Sequence, residues 1–339
     1  MISNMLREID ESGAAVSRQL DENAARLAEL GERLRALDPP VVATIARGSS
    51  DCCALYLKYL VEISSGIPCA SIGPSVATLY RTPMRLERSL SVAISQSGRS
   101  PDIVDMQRSA RQGGALAVAF VNDVASPLAA EAEVLLPLCA GEERSVAATK
   151  SMVAGLVAGA SLVAAWREDR QLADAVSSLP DVLRGQTAAP PAAMLDRLAT
   201  ARNAFVLSRG ATLAIAAEAA LKLKETCFIQ AEGFSAAEVR HGPMAVVREG
   251  FPVLLLGQDD ESLDSVAALA TEFAGRGVRV ISAGIPGAPG MTLPVVSADP
   301  LIAPVLQIAS FYRLVNMLAL ARGLDPDRPL HLTKVTETL

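Results

Sequence analysis

Apolar and polar positions follow a recurring order along the chain. A short, nearly continuous apolar run is followed by a tight turn, then by a longer segment with apolar positions three or four residues apart. Short apolar runs bounded by turn residues read as buried strands, and the longer spacing reads as helix. Residues 1–36 show helical spacing with many charges, which predicts an amphipathic leader helix. After Pro39-Pro40, VVATIARGSSDCCALYLKYLVE predicts a strand, a turn at Arg47-Gly48 and a helix. AFVLSRGATLAIAAEAALKLKE repeats that order with its turn at Arg209-Gly210, and 209 − 47 = 162. SLSVAISQSG places Ser95 where FPVLLLGQDD places Gly257, and 257 − 95 = 162 again. ALAVAFVND (115–123) corresponds loosely to VRVISAGIP (278–286), and EVLLPLCAG and TLPVVSADP each precede a long apolar helix.

Two copies of a strand–helix unit at one period predict tandem α/β domains, each a parallel sheet covered by helices on both faces. The expected boundaries are a leader at 1–36, a first domain at 37–184, a linker at 185–195 around GQTAAPP, a second domain at 196–324 and a polar, proline-containing tail at 325–339. Half of the 339 residues are hydrophobic, enough for two cores, and the 20% that are charged argue against wholesale disorder. A net charge of −6, no basic run and only 4% aromatic residues argue against a nucleic-acid partner. The longest apolar run, Met152 to Trp166, is shorter than the roughly 20 residues a membrane span needs, and reads as a buried helix. Cys52, Cys53, Cys69, Cys139 and Cys227 lack metal-ligand spacing and read as reduced core thiols. With no signal-like start, a cytoplasmic protein is expected. His241 and His331 are the two histidines, which leaves little scope for a histidine-rich metal site; no metal or organic cofactor is expected.

Four stretches carry candidate chemistry. ISQSGRSPDIV (94–104) takes an apolar strand into Ser95-Gln96-Ser97-Gly98, then Ser100 and a helix starting near Pro101. Strand end, hydroxyls and helix N-terminus together suit a phosphate, although an ordinary serine turn with an N-cap at Ser100 fits the same residues. The second copy reads LLLGQDDES, whose acids would repel a phosphate. EAALKLKE (218–225) puts Glu218, Lys222 and Glu225 within about 60° of one another on a helix, with Lys224 on another face. Such a stripe is often a solvated face, but in an apolar helix a glutamate beside a lysine can act as a general base. AEVRHGPMAVV (237–247) sets His241 before a Gly-Pro turn, and HLTKVTET carries Lys334 in the tail; neither decides anything alone.

Together these strings resemble the sugar-isomerase (SIS) domain family, in particular the tandem isomerase half of glucosamine-6-phosphate synthase. The likeness runs through MLREIDES, ARGSS, SQSGRSPD, ERSVAATKS, EAALKLKE, AEVRHGPMAVV and DRPLHLTKVT in the family's order. It implies two SIS domains, each a flavodoxin-like three-layer sandwich, with an N-terminal helix and a C-terminal active-site tail. It implies that Ser49 and Ser50, with Ser95, Gln96, Ser97 and Ser100, hold a sugar phosphate, and that Val146 and Ala147 make backbone contacts to the sugar. Glu225 matches the base that moves a proton between C1 and C2, with Lys222 and Glu218 as companions. His241 matches a ring-opening histidine supplied by the neighbouring subunit of a homodimer, and Lys334 a tail lysine able to form an imine with the open ketose. Ala148 stands where the family has a serine, and PLHLTK departs from the synthase tail.

Since the chain goes straight into the isomerase half, with no glutaminase ahead of it, the expected reaction is amino sugar in and ammonia out. This resembles the stand-alone SIS-type glucosamine-6-phosphate deaminases, whose tails also read like KVTET. The alternatives are a deaminase or deglycase for another sugar amine, a synthase-like or plain aldose–ketose isomerase, and a non-catalytic sugar-phosphate sensor.

Overall fold

The computed structural model describes residues 2–334; residues 335–339, the end of the expected tail, lie outside them. Ten strands among the described residues form two five-stranded parallel sheets. The first runs β2-β1-β3-β4-β5, with β1 Val42–Ile45, β2 Cys69–Ser71, β3 Leu90–Ser95, β4 Leu116–Val121 and β5 Val134–Pro137. The second runs β10-β9-β8-β6-β7, with β6 Asn203–Ser208, β7 Gln230–Ser235, β8 Pro252–Leu256, β9 Arg279–Ala283 and β10 Met291–Thr292. Read from the other edge, the second order is that of the first, so each sheet reverses direction between its first and third strands. β1, β3, β4 and β8 are buried at every position, which is why they read as unbroken apolar runs rather than alternating ones.

The 162-residue offset carries the first four strands of one sheet onto the first four of the other. The fifth does not follow. β5 would map to 296–299, but β10 is the two-residue pair Met291–Thr292. Just beyond it, the Pro294 carbonyl accepts from Ser310 Oγ at 2.5 Å, tying the chain to the helix Ala303–Ala321. The leader also differs from expectation. It is two helices, Asn4–Asp10 and Ser12–Leu37, separated at Glu11.

The chain divides into two compact units. One comprises Ser12–Glu143, Lys150–Pro180 and the tail from Thr333; the other comprises the chain up to Glu11, Arg144–Thr149 and Asp181–Leu332. The division near 180 falls at Pro180, inside the helix Arg170–Gly185.

In the first of these units the expected buried helix runs from Lys150 to Arg167 and is buried at nearly every position. It packs on the helix Ser12–Leu37 through small residues. A Cβ added to Gly31 would lie 2.6 Å from the Ala165 carbonyl oxygen. Arg35 Nη1 donates to that same carbonyl at 2.7 Å, covering the C-terminal end of the partner helix.

In the other unit the helix Ala303–Ala321 forms the core. It is long and apolar enough to cross a membrane, but 78% of its apolar window is buried within the protein. It also carries Gln307, Ser310, Tyr312 and Asn316 among its buried residues. The cysteines are all free thiols. Burial pushes the Cys69 thiol up to about 12 and the Cys227 thiol up to about 11, so both are neutral core groups near pH 7.

Gly31→Ala should destabilise the protein by about 1–3 kcal/mol through overpacking against the Ala165 carbonyl. Alanine's helix propensity, better by about 1 kcal/mol, works the other way. Urea unfolding measures the balance; a midpoint equal to or above wild type would show that the two helices can separate without cost.

Candidate active site

In the first sheet the expected phosphate residues gather at the point where strand order reverses. β1 and β3 are parallel neighbours, with Ile45 opposite Ala93, so the loops after their carboxyl ends lie side by side. In open α/β sheets this is the place where ligands bind. Ser49 and Ser50 open the helix Ser49–Ser65 directly after Gly48, and both are half-buried. Ser95 is the last residue of β3 and its Oγ accepts the Gly98 N–H at 3.0 Å. Gln96 and Ser97 are half-buried in the turn, where Ser97 Oγ accepts the Arg99 N–H at 3.3 Å. Ser100, in extended backbone, leads into the helix Pro101–Gln112 but makes no side-chain cap.

Gly98 holds the turn together. Its φ is +63°, and a Cβ there would overlap Ser126 Oγ. The chain therefore folds tightly enough to gather its serine hydroxyls into one loop at a helix N-terminus, where an anion is favoured. One basic group beside it was not anticipated from sequence. Arg47 Nε donates to the buried Asp102 carboxylate at 2.6 Å, tying the β1 turn to the first turn of the helix after the serine loop.

The equivalent corner of the second sheet is filled by its own side chains. Gln258 bonds Thr212 and Asp260, and Asp260 Oδ1 accepts from Ser262 Oγ at 2.5 Å. The duplicated corner is thus closed and acidic where the first is a loop of hydroxyls.

The second unit carries titratable chemistry one turn further on. β6 ends at Ser208, Gly210 makes the turn with φ +70°, and the helix Leu213–Cys227 follows. Glu218 and Lys222 are fully buried, and the Glu225 side chain is 20% exposed. Lys222 Nζ lies 3.1 Å from Glu218 Oε1 and donates to Glu225 Oε2 at 2.7 Å. Tyr312 Oη donates to Glu218 Oε1 at 2.8 Å. The stripe is therefore no solvated face.

Burial works against the Lys222 charge, but the attraction of Glu218 and Glu225 outweighs it and raises the ammonium above its ordinary value. Burial also pushes the Glu218 carboxyl up, against the pull of Lys222. The group left accessible is Glu225, a carboxylate with an ammonium fixed beside it. This arrangement suits a base that takes a carbon-bound proton while the cation stabilises the negative charge that develops.

The remaining expected residues are placed as follows. His241 ends the 3-10 turn Glu238–His241 and is exposed; no bond joins it to Glu225 among the described residues. Val146 donates its N–H to the Asp327 carbonyl at 3.1 Å, and the buried Ala147 accepts from Ser145 Oγ at 3.2 Å. Lys334 Nζ donates to Glu143 Oε2 at 2.9 Å.

Two carboxylates in this region had no role read from the sequence. Glu8, in the first helix, is buried and accepts from the Arg144 N–H, the Ser145 N–H and Ser145 Oγ, gripping the segment that carries Val146 and Ala147. Glu143 holds Lys334. Both lie inside the strings MLREIDES and ERSVAATKS, but their partners are far away in sequence, and no local spacing reveals them.

Two parallel α/β sheets of one topology, one with a hydroxyl loop at its reversal point and the other with a buried acid–base helix, define a tandem-repeat protein of the phosphosugar-isomerase class. A model of the SIS domain matches residues 39–165 and 197–285, and the chain belongs to the SIS-domain family. The glutamine–fructose-6-phosphate aminotransferase (isomerizing) of Symbiobacterium thermophilum is 33% identical over 97% of this chain. The chain spans 58% of that relative's length. A Silicibacter pomeroyi crystal structure, provisionally assigned as a phosphosugar isomerase, is 44% identical with a TM-score of 0.92, covering 96% of this chain and all of that one. The C-terminal domain of the Francisella tularensis glucosamine-fructose-6-phosphate aminotransferase is 25% identical with a TM-score of 0.83, covering 97% of this chain and 99% of that one.

Lys222→Met should cost about 3–5 kcal/mol of stability, because it leaves the buried Glu218 without its cation. Glu225→Gln, at the half-open end of the stripe, should cost under about 1 kcal/mol. Chemical denaturation of the two variants checks the order; equal costs would mean that the cluster is not anchored at Glu218.

Proposed function

We propose that the protein converts glucosamine 6-phosphate and water into fructose 6-phosphate and ammonia. The observation that carries this reading is the Glu225 carboxylate, partly open and paired with a buried ammonium on a helix of otherwise apolar character. A sensor needs an anion loop but has no use for such a pair.

In the proposed reaction the serine loop, Ser95 to Ser100 with Ser49 and Ser50, holds the phosphate, and the backbone at Val146 and Ala147 meets the sugar. His241 assists ring opening, and the family resemblance has it act on the substrate of a neighbouring subunit, so the active form is a homodimer. Once the aldehyde at C1 is free, the proton on C2 is acidified by the adjacent carbonyl. Glu225 takes that proton and returns it to C1, and Lys222 stabilises the charge on the enolamine oxygen between the two transfers. The product of this step is the imine of fructose 6-phosphate at C2. Water adds to the imine carbon and ammonia leaves. Lys334 can precede water by exchanging its own amine for ammonia at C2, after which hydrolysis frees the lysine.

The same proton transfer serves both directions, and mass action selects release wherever free ammonia is scarce. The similarity to the Silicibacter pomeroyi protein favours a second reading, an aldose–ketose isomerase that moves the same proton on a sugar phosphate without an amine.

Purified protein given glucosamine 6-phosphate alone should release ammonia and fructose 6-phosphate in equal amounts. Glu225→Gln should lower turnover by at least about 100-fold while substrate still binds. Interconversion of an aldose and ketose phosphate with no ammonia from any amino sugar would support the second reading. An active Glu225→Gln enzyme would overturn both.

A further inference from the structure

The tail lysine is held by a carboxylate that does not itself depend on the tail. Glu143 is fully buried at its side chain. Its Oε1 accepts the Ser151 N–H at 3.0 Å and its Oε2 accepts Ser151 Oγ at 2.7 Å. Ser151 lies in the first turn of the helix Lys150–Arg167, so this carboxylate is fixed to a rigid element at the helix end that favours negative charge. Two bonds from one residue orient both of its oxygens. Lys334, by contrast, lies in a segment without helix or strand and is 24% exposed at its side chain. Its Nζ meets the same Oε2 at 2.9 Å. The direction of control therefore runs from helix to carboxylate to lysine.

We propose that Glu143 is the positioning residue of the tail: it holds the Lys334 ammonium in place and restrains its encounter with the sugar phosphate. This inference rests on the reading of Lys334 as the amine that meets substrate. Lys334 keeps part of its side chain in solvent, so the pair is not a sealed one. The bonds from Ser151 already answer much of the cost of burying the carboxylate. What the pair does supply is a defined place for a long, flexible side chain. The side-chain entropy is then spent before substrate arrives, which is how positioning lowers a barrier.

The test uses the full-length protein and two readouts. The first is the rate at which Lys334 is acylated by trace acetic anhydride at one fixed pH, read by mass spectrometry with Lys224 as internal reference. Glu143→Gln should raise Lys334 labelling at least fivefold over wild type, and Glu143→Asp should bring it most of the way back. The second readout is turnover of glucosamine 6-phosphate. Glu143→Gln should lower kcat about tenfold with KM within twofold of wild type. Adding Glu143→Gln to Lys334→Met should lower kcat no further than Lys334→Met alone.

Unchanged Lys334 labelling in Glu143→Gln, or additive losses in the double variant, overturns the inference. Where glucosamine 6-phosphate is not turned over even by wild type, the labelling alone decides this inference, and the failure belongs to the proposed function. Should Glu143→Gln not fold, Ser151→Ala, which removes one bond orienting the carboxylate, should give a smaller increase in labelling; no increase counts against the proposal.

Discussion

An ammonium with no exposed surface, Lys222, sits between Glu218 and Glu225, and the second unit is arranged to keep it there. Removing a charge from water costs several kcal/mol, and the cost is met only when partners are close and hydrogen-bonded. The helix Leu213–Cys227 supplies both carboxylates on one face at spacings of four and three residues. The core helix Ala303–Ala321 supplies Tyr312, whose hydroxyl fixes Glu218 from the far side. Apolar residues fill the rest of the helix. The result is asymmetric: one end of the stripe is sealed and the other, Glu225, is left partly open. A carboxylate so placed has its cation pre-oriented and its water restricted, which is the condition under which such a group is useful as a base.

The two sheets share a topology and treat the same corner in opposite ways. In the first, Gly98 lets a serine turn close against Ser126 and gather hydroxyls at a helix N-terminus. In the second, Thr212, Gln258, Asp260 and Ser262 bond one another and fill the corner. Repetition has kept the scaffold and varied the chemistry of its side chains, with a serine loop at a helix N-terminus in one copy and a buried carboxylate–ammonium stripe in the other. The carboxylates Glu8 and Glu143 do a third job. They fix the irregular segments that carry Val146, Ala147 and Lys334, where regular secondary structure supplies no rigidity.

Much of this was legible in the sequence for reasons that can be named. Buried parallel strands are unbroken apolar runs, so β1, β3 and β4 in the first copy and β6, β8 and β9 in the second declare themselves and keep one offset, whereas β2 and β7, largely exposed or half-buried, carry no such run and are not read from it. The fifth strand of the second copy stops after Thr292 and its next residues bond the core helix through the Pro294 carbonyl, a local event that the repeat argument ignores. The leader breaks at Glu11, which the overall helical spacing conceals. Glu218, Lys222 and Glu225 were visible as a stripe because helical geometry is local, but the stripe's burial depends on Tyr312, 94 residues away from Glu218. Glu143 and Lys334 are 191 residues apart, and Glu8 and Ser145 are 137 apart. Pairs of this kind belong to the tertiary structure, and no pattern along the chain could have joined them.

The most direct test of the central claim, that Glu225 moves a proton between C1 and C2 of a sugar phosphate, is hydrogen exchange followed by NMR. The protein is incubated in deuterium oxide with fructose 6-phosphate, with and without ammonium. The account predicts that deuterium enters C1 of fructose 6-phosphate in the presence of wild-type protein, and that Glu225→Gln abolishes this incorporation while phosphosugar binding persists. Incorporation that survives in Glu225→Gln would contradict the assignment of the base, and no incorporation with wild type under either condition would contradict the proton-transfer chemistry itself.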